Sequence, residues 1–400
     1  MADNQQLEEW LEVAETDPDD LVDKVAAITN EIDQPDPEKR NKAVKILSQV
    51  ATRNPGSVAD ERAALIERLS DEHQAVRYNA ALTLKRIATA YPNALLGVLL
   101  PVAGRLGDEE QDVQTAVGDV LDAVSDQYPE EVIEAVSTVL TDLATDLNAS
   151  SSEERKTAAM GFAVAASVAP EAIAANLEAL IDSFTDGSLD VRYHSVMAVS
   201  RVATEDGSAV TAAVDALSQL LGKSDDDVRK LAAYTLAEVA GTVPDMLTAE
   251  TDSLVDALSD DYDEVRQFSV KALTKVADQH PEAIAPYADV LIERVARDAD
   301  DIATAAAEVL TALAAADAEP VKTALTDRGV SINDDPPAAI EAVRLGEKTL
   351  NSVADDDGHK NGEKNRQLDN VINDTGRTRV ESLTDAVDEV TVDDAAVGAV

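Results

Sequence analysis

Residues 225–240 read DDDVRKLAAYTLAEVA, and residues 262–277 read YDEVRQFSVKALTKVA. Residues 188–203, SLDVRYHSVMAVSRVA, and 73–88, HQAVRYNAALTLKRIA, keep the same register. Taking Val76 as an origin, the position returns at Val113, Val191, Val228, Val265 and Ile302, with steps of 37, 78, 37, 37 and 37. The long step holds one more unit, at Glu154, lengthened by four residues that are expected in a loop near Asn148–Ser152. Counting back from Val76 reaches Lys39, which makes eight units. A period of this size means an array of supersecondary units, each packed on its neighbours.

Each unit carries two helical stripes. Eight residues after the origin lie Leu47, Leu84, Leu121, Phe162, Val199, Leu236, Leu273 and Leu310. Four and twelve after it the residues are small, as at Ala80 and Ala88, or Ala232 and Ala240. Offsets of 0, 4, 8, 11 and 12 share one face of an α-helix. Seven and eleven residues before the origin, Leu69 and Leu65, or Leu258 and Leu254, mark a preceding helix. Asp- and Ser-rich turns separate the two and suit helix N-termini. Proline recurs sixteen after the origin at Pro55, Pro92, Pro129, Pro170, Pro244 and Pro281, ending one helix and opening the next.

The charge is extreme: 33 Lys+Arg stand against 79 Asp+Glu, a net of −46. Self-repulsion of that size strains a compact fold in dilute buffer. Molar salt shortens the screening length to roughly 3 Å and relieves it. The Asp-rich, Lys-poor, aromatic-poor composition resembles the acidic proteins of salt-accumulating archaea. It argues against non-specific binding to nucleic acid or anionic membranes. The absence of cysteine excludes disulfides, zinc-thiolate sites and a cysteine nucleophile. The opening MADNQQLEEWLEV has no secretory pattern, and no run of about 18 apolar residues occurs. A cytoplasmic protein without membrane insertion is the expectation.

The two-helix unit with Val-Arg opening its second helix (Val76-Arg77, Val191-Arg192, Val228-Arg229, Val265-Arg266) resembles the HEAT repeat over about residues 18–316. The resemblance implies an all-α fold, an α-α superhelix (right-handed solenoid) of about eight repeats, with second helices on the concave side. Residues 1–17 are expected as an N-terminal capping helix in which Trp10 covers the open end. Residues 317–353 are expected as a C-terminal cap region with a helix over 338–353, and 354–400 as an acidic, disordered tail.

Catalytic chemistry is not visible. His73, His194, His280 and His359 form no metal-ligand pairs of the kind HEAT-like di-iron enzymes carry. Gly222-Lys223-Ser224 lacks the upstream glycine of a phosphate loop, and Asp355–Gly358 lacks calcium-loop spacing. No cofactor or metal is expected.

One residue after the origin stand Arg40, Arg77, Arg155, Arg192, Arg229 and Arg266. The resemblance implies that they form an inter-repeat ladder with aspartates such as Asp71, Asp186 and Asp260. A ligand-binding arginine track is the alternative. The fourteen residues from each origin hold 16 basic and 7 acidic side chains, so the second helices total +9 while the rest totals −55. Lys45, Lys85, Arg86, Arg201, Lys230, Lys271 and Lys275 lie off the ladder, with Tyr78, Tyr193 and Tyr234 on the same helices. These ten residues are the expected partner-binding set. The expected function is a non-enzymatic scaffold whose concave face takes an acidic protein segment, the chain's own tail being one candidate. The alternatives are a nucleic-acid- or chromosome-associated HEAT protein, and a HEAT-like lyase or accessory subunit of an enzyme.

Overall fold

The computed structural model describes residues 4–222, 224–298, 300–328, 340 and 343. Among them every regular element is helical, and the chain is an all-α superhelix. The elements named below are α1 (Asn4–Thr16), α2 (Pro37–Arg53), α3 (Gln74–Ala90), α4 (Gln111–Ser125), α5 (Pro129–Asp146), α6 (Ser152–Val168), α7 (Leu189–Glu205), α8 (Asp226–Thr242), α9 (Asp263–Gln279), α10 (Asp300–Ala316) and α11 (Ala318–Asp327). The second helices of units 1 to 8 are α2, α3, α4, α6, α7, α8, α9 and α10. Each begins two residues before its origin.

The second helices form a continuous layer in which each packs on the next. Their eight-residue column, from Leu84 to Leu273, is fully buried, as is the origin column from Val76 to Val265 except at unit 4, where Glu154 is exposed. The small columns let the axes approach closely. The first helices touch one another less than the second helices do. The second-helix layer is therefore the tighter one, as the inner arc of a curved stack must be.

The prolines explain how each second helix stops. Asn54, Tyr91, Tyr128, Ala169, Val243 and His280 precede them and turn to φ between −126° and −144°, ψ between 58° and 69°. A following proline excludes the helical region for these residues. The first helices then open as one short turn and break at the sixth residue after the proline. Val98 (φ −132°, ψ 13°), Asn176 (φ −115°, ψ 9°) and Glu250 (φ −102°, ψ 7°) mark that break.

Unit 4 differs, and it corrects the sequence-based placement of the insertion. The turn at 147–151 is no longer than those of units 2 and 7. The four extra residues lie instead within the first helix, α5, which runs unbroken for 18 residues. Eighteen α-helical steps from Pro129 to Leu147 span about 27 Å. The fourteen steps from Pro92 to Leu106, about half of them in 3-10 geometry, cover about 25 Å. One added turn thus replaces a kinked helix by a straight one of similar reach.

Both ends of the stack are half-units. Counting 37 back from unit 1 places Val13 and Ala14 of α1 in the core columns and Pro18 in the proline column. α1 accordingly packs on α2 like a second helix. Leu7 and Ala14 are buried there, while Trp10 is only partly covered. At the other end α11 packs on α10 as a first helix would. The helix expected at 338–353 falls almost wholly outside the described residues, and the tail at 354–400 entirely so.

Candidate functional site: the turn ladder and the second-helix face

The arginine one residue after the origin is present in six of the eight second helices and forms two kinds of bond. Its Nη1 donates to a backbone carbonyl of its own turn: Arg77 to Asp71 O (3.0 Å), Arg155 to Ala149 O (3.0 Å), Arg266 to Asp260 O (2.8 Å). In five of the six the remaining edge reaches an aspartate in the next unit, 31 residues on, or 32 from Arg266. Arg40 donates through Nε and Nη2 to Asp71 at 2.8 and 2.9 Å. Arg155 holds Asp186 at 2.6 and 3.1 Å, and Arg229 holds Asp260 at 2.7 and 3.1 Å. At Arg77–Asp108 the aligned bond runs from Nη2 at 2.9 Å, and Nε lies as close without pointing at the carboxylate. Arg266 and Asp298 are in contact at 3.1 Å with the same misalignment.

The aspartate is equally committed. Its Oδ1 accepts the amide two residues on, from His73, Glu110, Ser188 and Tyr262 at 3.0, 3.1, 2.7 and 2.9 Å. One carboxylate therefore shapes a turn and joins two units. The Arg155 hydrogen bonds, with the Ser188 amide, hold Asp186 below the ordinary aspartate range. Burial pushes Asp71 up, but the Arg40 bonds, the His73 amide and the nearby charges outweigh it and leave it low.

Two junctions lack the aspartate. In unit 4 its position is Ala149, and the previous unit carries Gln114 in place of arginine. Gln114 is fully buried and donates to Leu106 O, Asp108 O and Thr157 O at 2.8, 2.9 and 3.1 Å. In unit 6 the position is Lys223, and Arg192 bonds only its own turn, to Asp186 O at 2.7 Å. Among the described residues no carboxylate lies within ion-pair distance of Arg192.

The inner face is less open than its composition suggests. Lys45 pairs with Glu15 (3.0 Å), Lys85 with Asp119 (2.6 Å), Lys230 with Glu264 (3.6 Å) and Lys271 with Glu238 (3.0 Å), each across a unit boundary. Lys156–Asp190 (3.2 Å) and Lys42–Glu8 do the same. These lysines are not the unpaired cations that the excess charge led one to expect. Tyr234 is also engaged, with Thr204 at 3.1 Å and edge-on to Phe268.

Arg86 and Arg201 stand apart. Both lie ten residues after their origin, in units 2 and 5, and each donates to the preceding second helix, Arg86 to Ser48 Oγ and Arg201 to Ala163 O. Neither has a carboxylate partner among the described residues. Burial lowers both pKa values, offset in part by the neighbouring Tyr78 and Tyr193 respectively. Tyr78 is 36% exposed. Tyr193 is half-buried against His194, whose own pKa burial depresses. Lys275 is exposed and forms no ion pair among the described residues. Between these points the face carries Asp119, Asp122 and Asp126. Burial, with the neighbouring carboxylates, raises Asp122.

Asp108, Asp298, Gln114 and the acidic halves of the lysine pairs escaped the sequence reading. Looking 31 residues ahead of each arginine, not six residues back, finds Asp108. Among the described residues no group of three or more His, Asp or Glu is placed to hold a metal ion, and no helix is long and apolar enough to cross a membrane.

A family model described as HEAT repeats matches residues 173–274. An engineered protein from the Northeast Structural Genomics Consortium is 21% identical, with a TM-score of 0.54 over 86% of this chain and 94% of that one. A designed armadillo repeat protein is 20% identical, with a TM-score of 0.36 over 62% of this chain and 98% of that one. No curated protein matches. The fold is that of a HEAT/armadillo-type helical repeat protein.

Proposed function

We propose that the chain is a non-enzymatic scaffold that takes an acidic segment of a protein partner along its second-helix layer. The observation that carries this reading is the pair Tyr78–Arg86 and Tyr193–Arg201. The same two-residue device recurs at one register position three units apart, each time with a desolvated guanidinium that no carboxylate among the described residues answers. Partly buried Arg and Tyr side chains are the types that dominate protein interfaces. A carboxylate arriving at such a guanidinium makes charge-assisted bonds whose desolvation has largely been met already. An extended repeat surface with two anchors suits a partner that spans several units.

Residues 354–400 hold 12 acidic and 5 basic side chains, so the chain's own tail fits the same chemistry and competes in cis. The acid at Asp119, Asp122 and Asp126, within a chain of net charge −46, disfavours nucleic acid on this face. The same charge supports a protein that works in the cytoplasm of a salt-accumulating cell. Its unfolding temperature then rises steeply between dilute buffer and molar KCl; a flat dependence contradicts that assignment.

The test is capture of a binding protein from native extract at molar KCl by the full chain and by the Arg86→Gln/Arg201→Gln variant. The partner is expected to be lost with the variant while the melting temperature holds. Undiminished capture by the variant overturns the reading.

A further inference from the structure

The ladder itself shows what ligand its arginines hold. At five junctions the guanidinium edge left over after clipping its own turn is filled by an internal aspartate carboxylate. Where Ala149 removes that carboxylate, the arginine is gone too, and Gln114 spends its donors on three carbonyls. Between units 5 and 6 the aspartate is replaced by Lys223, yet Arg192 remains. In register, the sequence therefore pairs two cations where the other junctions pair a cation with an anion.

Three further details fit a missing carboxylate. A lysine cannot accept the amide of Asp225, the group that aspartate Oδ1 accepts at the intact turns. Ser224 Oγ, in the same turn, is buried with no hydrogen-bond partner. The aspartates that follow are otherwise engaged: Asp225 caps the amide of Asp227 at 3.3 Å, and Asp226 pairs with Arg229 at 3.1 Å. Asp186, whose carboxylate the Arg192 charge helps to hold low, is held bidentately by Arg155. Arg192 itself is only partly buried, so its edge is reachable from solvent.

We propose that the junction of units 5 and 6 is an open carboxylate site, in which Arg192 receives an aspartate or glutamate side chain from an acidic peptide segment. The incoming group completes the rung from outside. The ladder runs along the turn edge of the stack, so this site is separate from the inner-face anchors and does not depend on them.

The test uses the full chain, a fluorescein-labelled hexa-aspartate peptide and anisotropy titration at molar KCl, with thermal melts alongside. Arg192→Gln copies the natural residue of unit 3 and is expected to fold. Lys223→Asp places an internal carboxylate on the rung. Both variants should weaken peptide binding about tenfold, the loss of one charge-assisted contact, and Lys223→Asp should also raise the melting temperature. Unchanged affinity in both variants overturns the proposal, as does a wild-type chain that does not bind the peptide. If affinity falls with Arg86→Gln or Arg201→Gln but not with Arg192→Gln, the peptide binds the inner face and the open-rung site is refuted.

Discussion

The junctions 3–4 and 5–6 have lost the same aspartate and answered differently. At 3–4 the repair is internal. Ala149 is matched by Gln114, fully buried and triply bonded. Gly161 lets α6 come so close that an added Cβ would collide with Leu106 O. The first helix of unit 4 is straightened into α5. At 5–6 no such change is seen among the described residues: Arg192 keeps its charge, although the sequence puts a lysine, Lys223, at the aspartate's register position. A neutral donor set suits a closed junction, because a buried charge without a counter-charge is costly. A retained, partly exposed guanidinium suits a junction meant to meet an anion.

The comparison is broken most forcefully at Gln114. Gln114→Arg puts an unanswered charge into a fully buried position and should cost on the order of 5 kcal/mol. Denaturant unfolding measures the loss, and adding Ala149→Asp should recover part of it. A neutral Gln114→Arg would mean that junction 3–4 was never closed. Next comes an intact rung. Arg77 and Asp108 have side-chain exposures of only 6% and 3%, so Asp108→Ala should cost about 3 kcal/mol by leaving the buried guanidinium with only the exposed Glu109 as its counter-charge.

Acid provides a smaller and more graded test. Asp71 and Asp186 sit below the ordinary value of 3.8. Their contribution is complete above that value and is lost as pH falls through the lower folded-state values. Stability should therefore fall below about pH 4. In Arg155→Gln most of the part of that slope due to Asp186 should vanish, whereas Arg192→Gln, which removes only the smallest of the contributions that lower Asp186, should change it little. Unfolding midpoints between pH 6 and 3 decide it. Smallest is Arg192→Gln at neutral pH without ligand, expected within about 0.5 kcal/mol of wild type. A large loss there would show that Arg192 already has an internal partner.

The architecture was legible because its signal is periodic. One misplaced residue does not hide columns that recur every 37 residues, and the boundaries of the second helices follow from Val-Arg at one end and proline at the other. What stayed hidden has physical reasons. The kink in the first helices leaves no mark in residue type, since Val98, Asn176 and Glu250 share a backbone geometry and nothing else. The four-residue insertion is close to one helical turn, so it preserves the stripe and could be assigned to either side of it. The lysine pairs escaped because each partner lies on a neighbouring helix in a different column: Glu238 follows its origin by ten, Asp119 by six. Composition reported an excess of cations on the second helices. Only geometry shows that Lys45, Lys85, Lys230 and Lys271 are answered and that, among the described residues, no carboxylate answers Arg86 or Arg201.

The central claim is that the second-helix layer, anchored at Tyr78–Arg86 and Tyr193–Arg201, is the surface that meets the partner. It is tested most directly by placing a photo-crosslinking amino acid at Tyr78 and at Tyr193, and at the exposed Leu100 and Met246 of the first helices. The account predicts crosslinks to one common protein from positions 78 and 193 and none from positions 100 and 246. Crosslinks confined to the first-helix positions would contradict it.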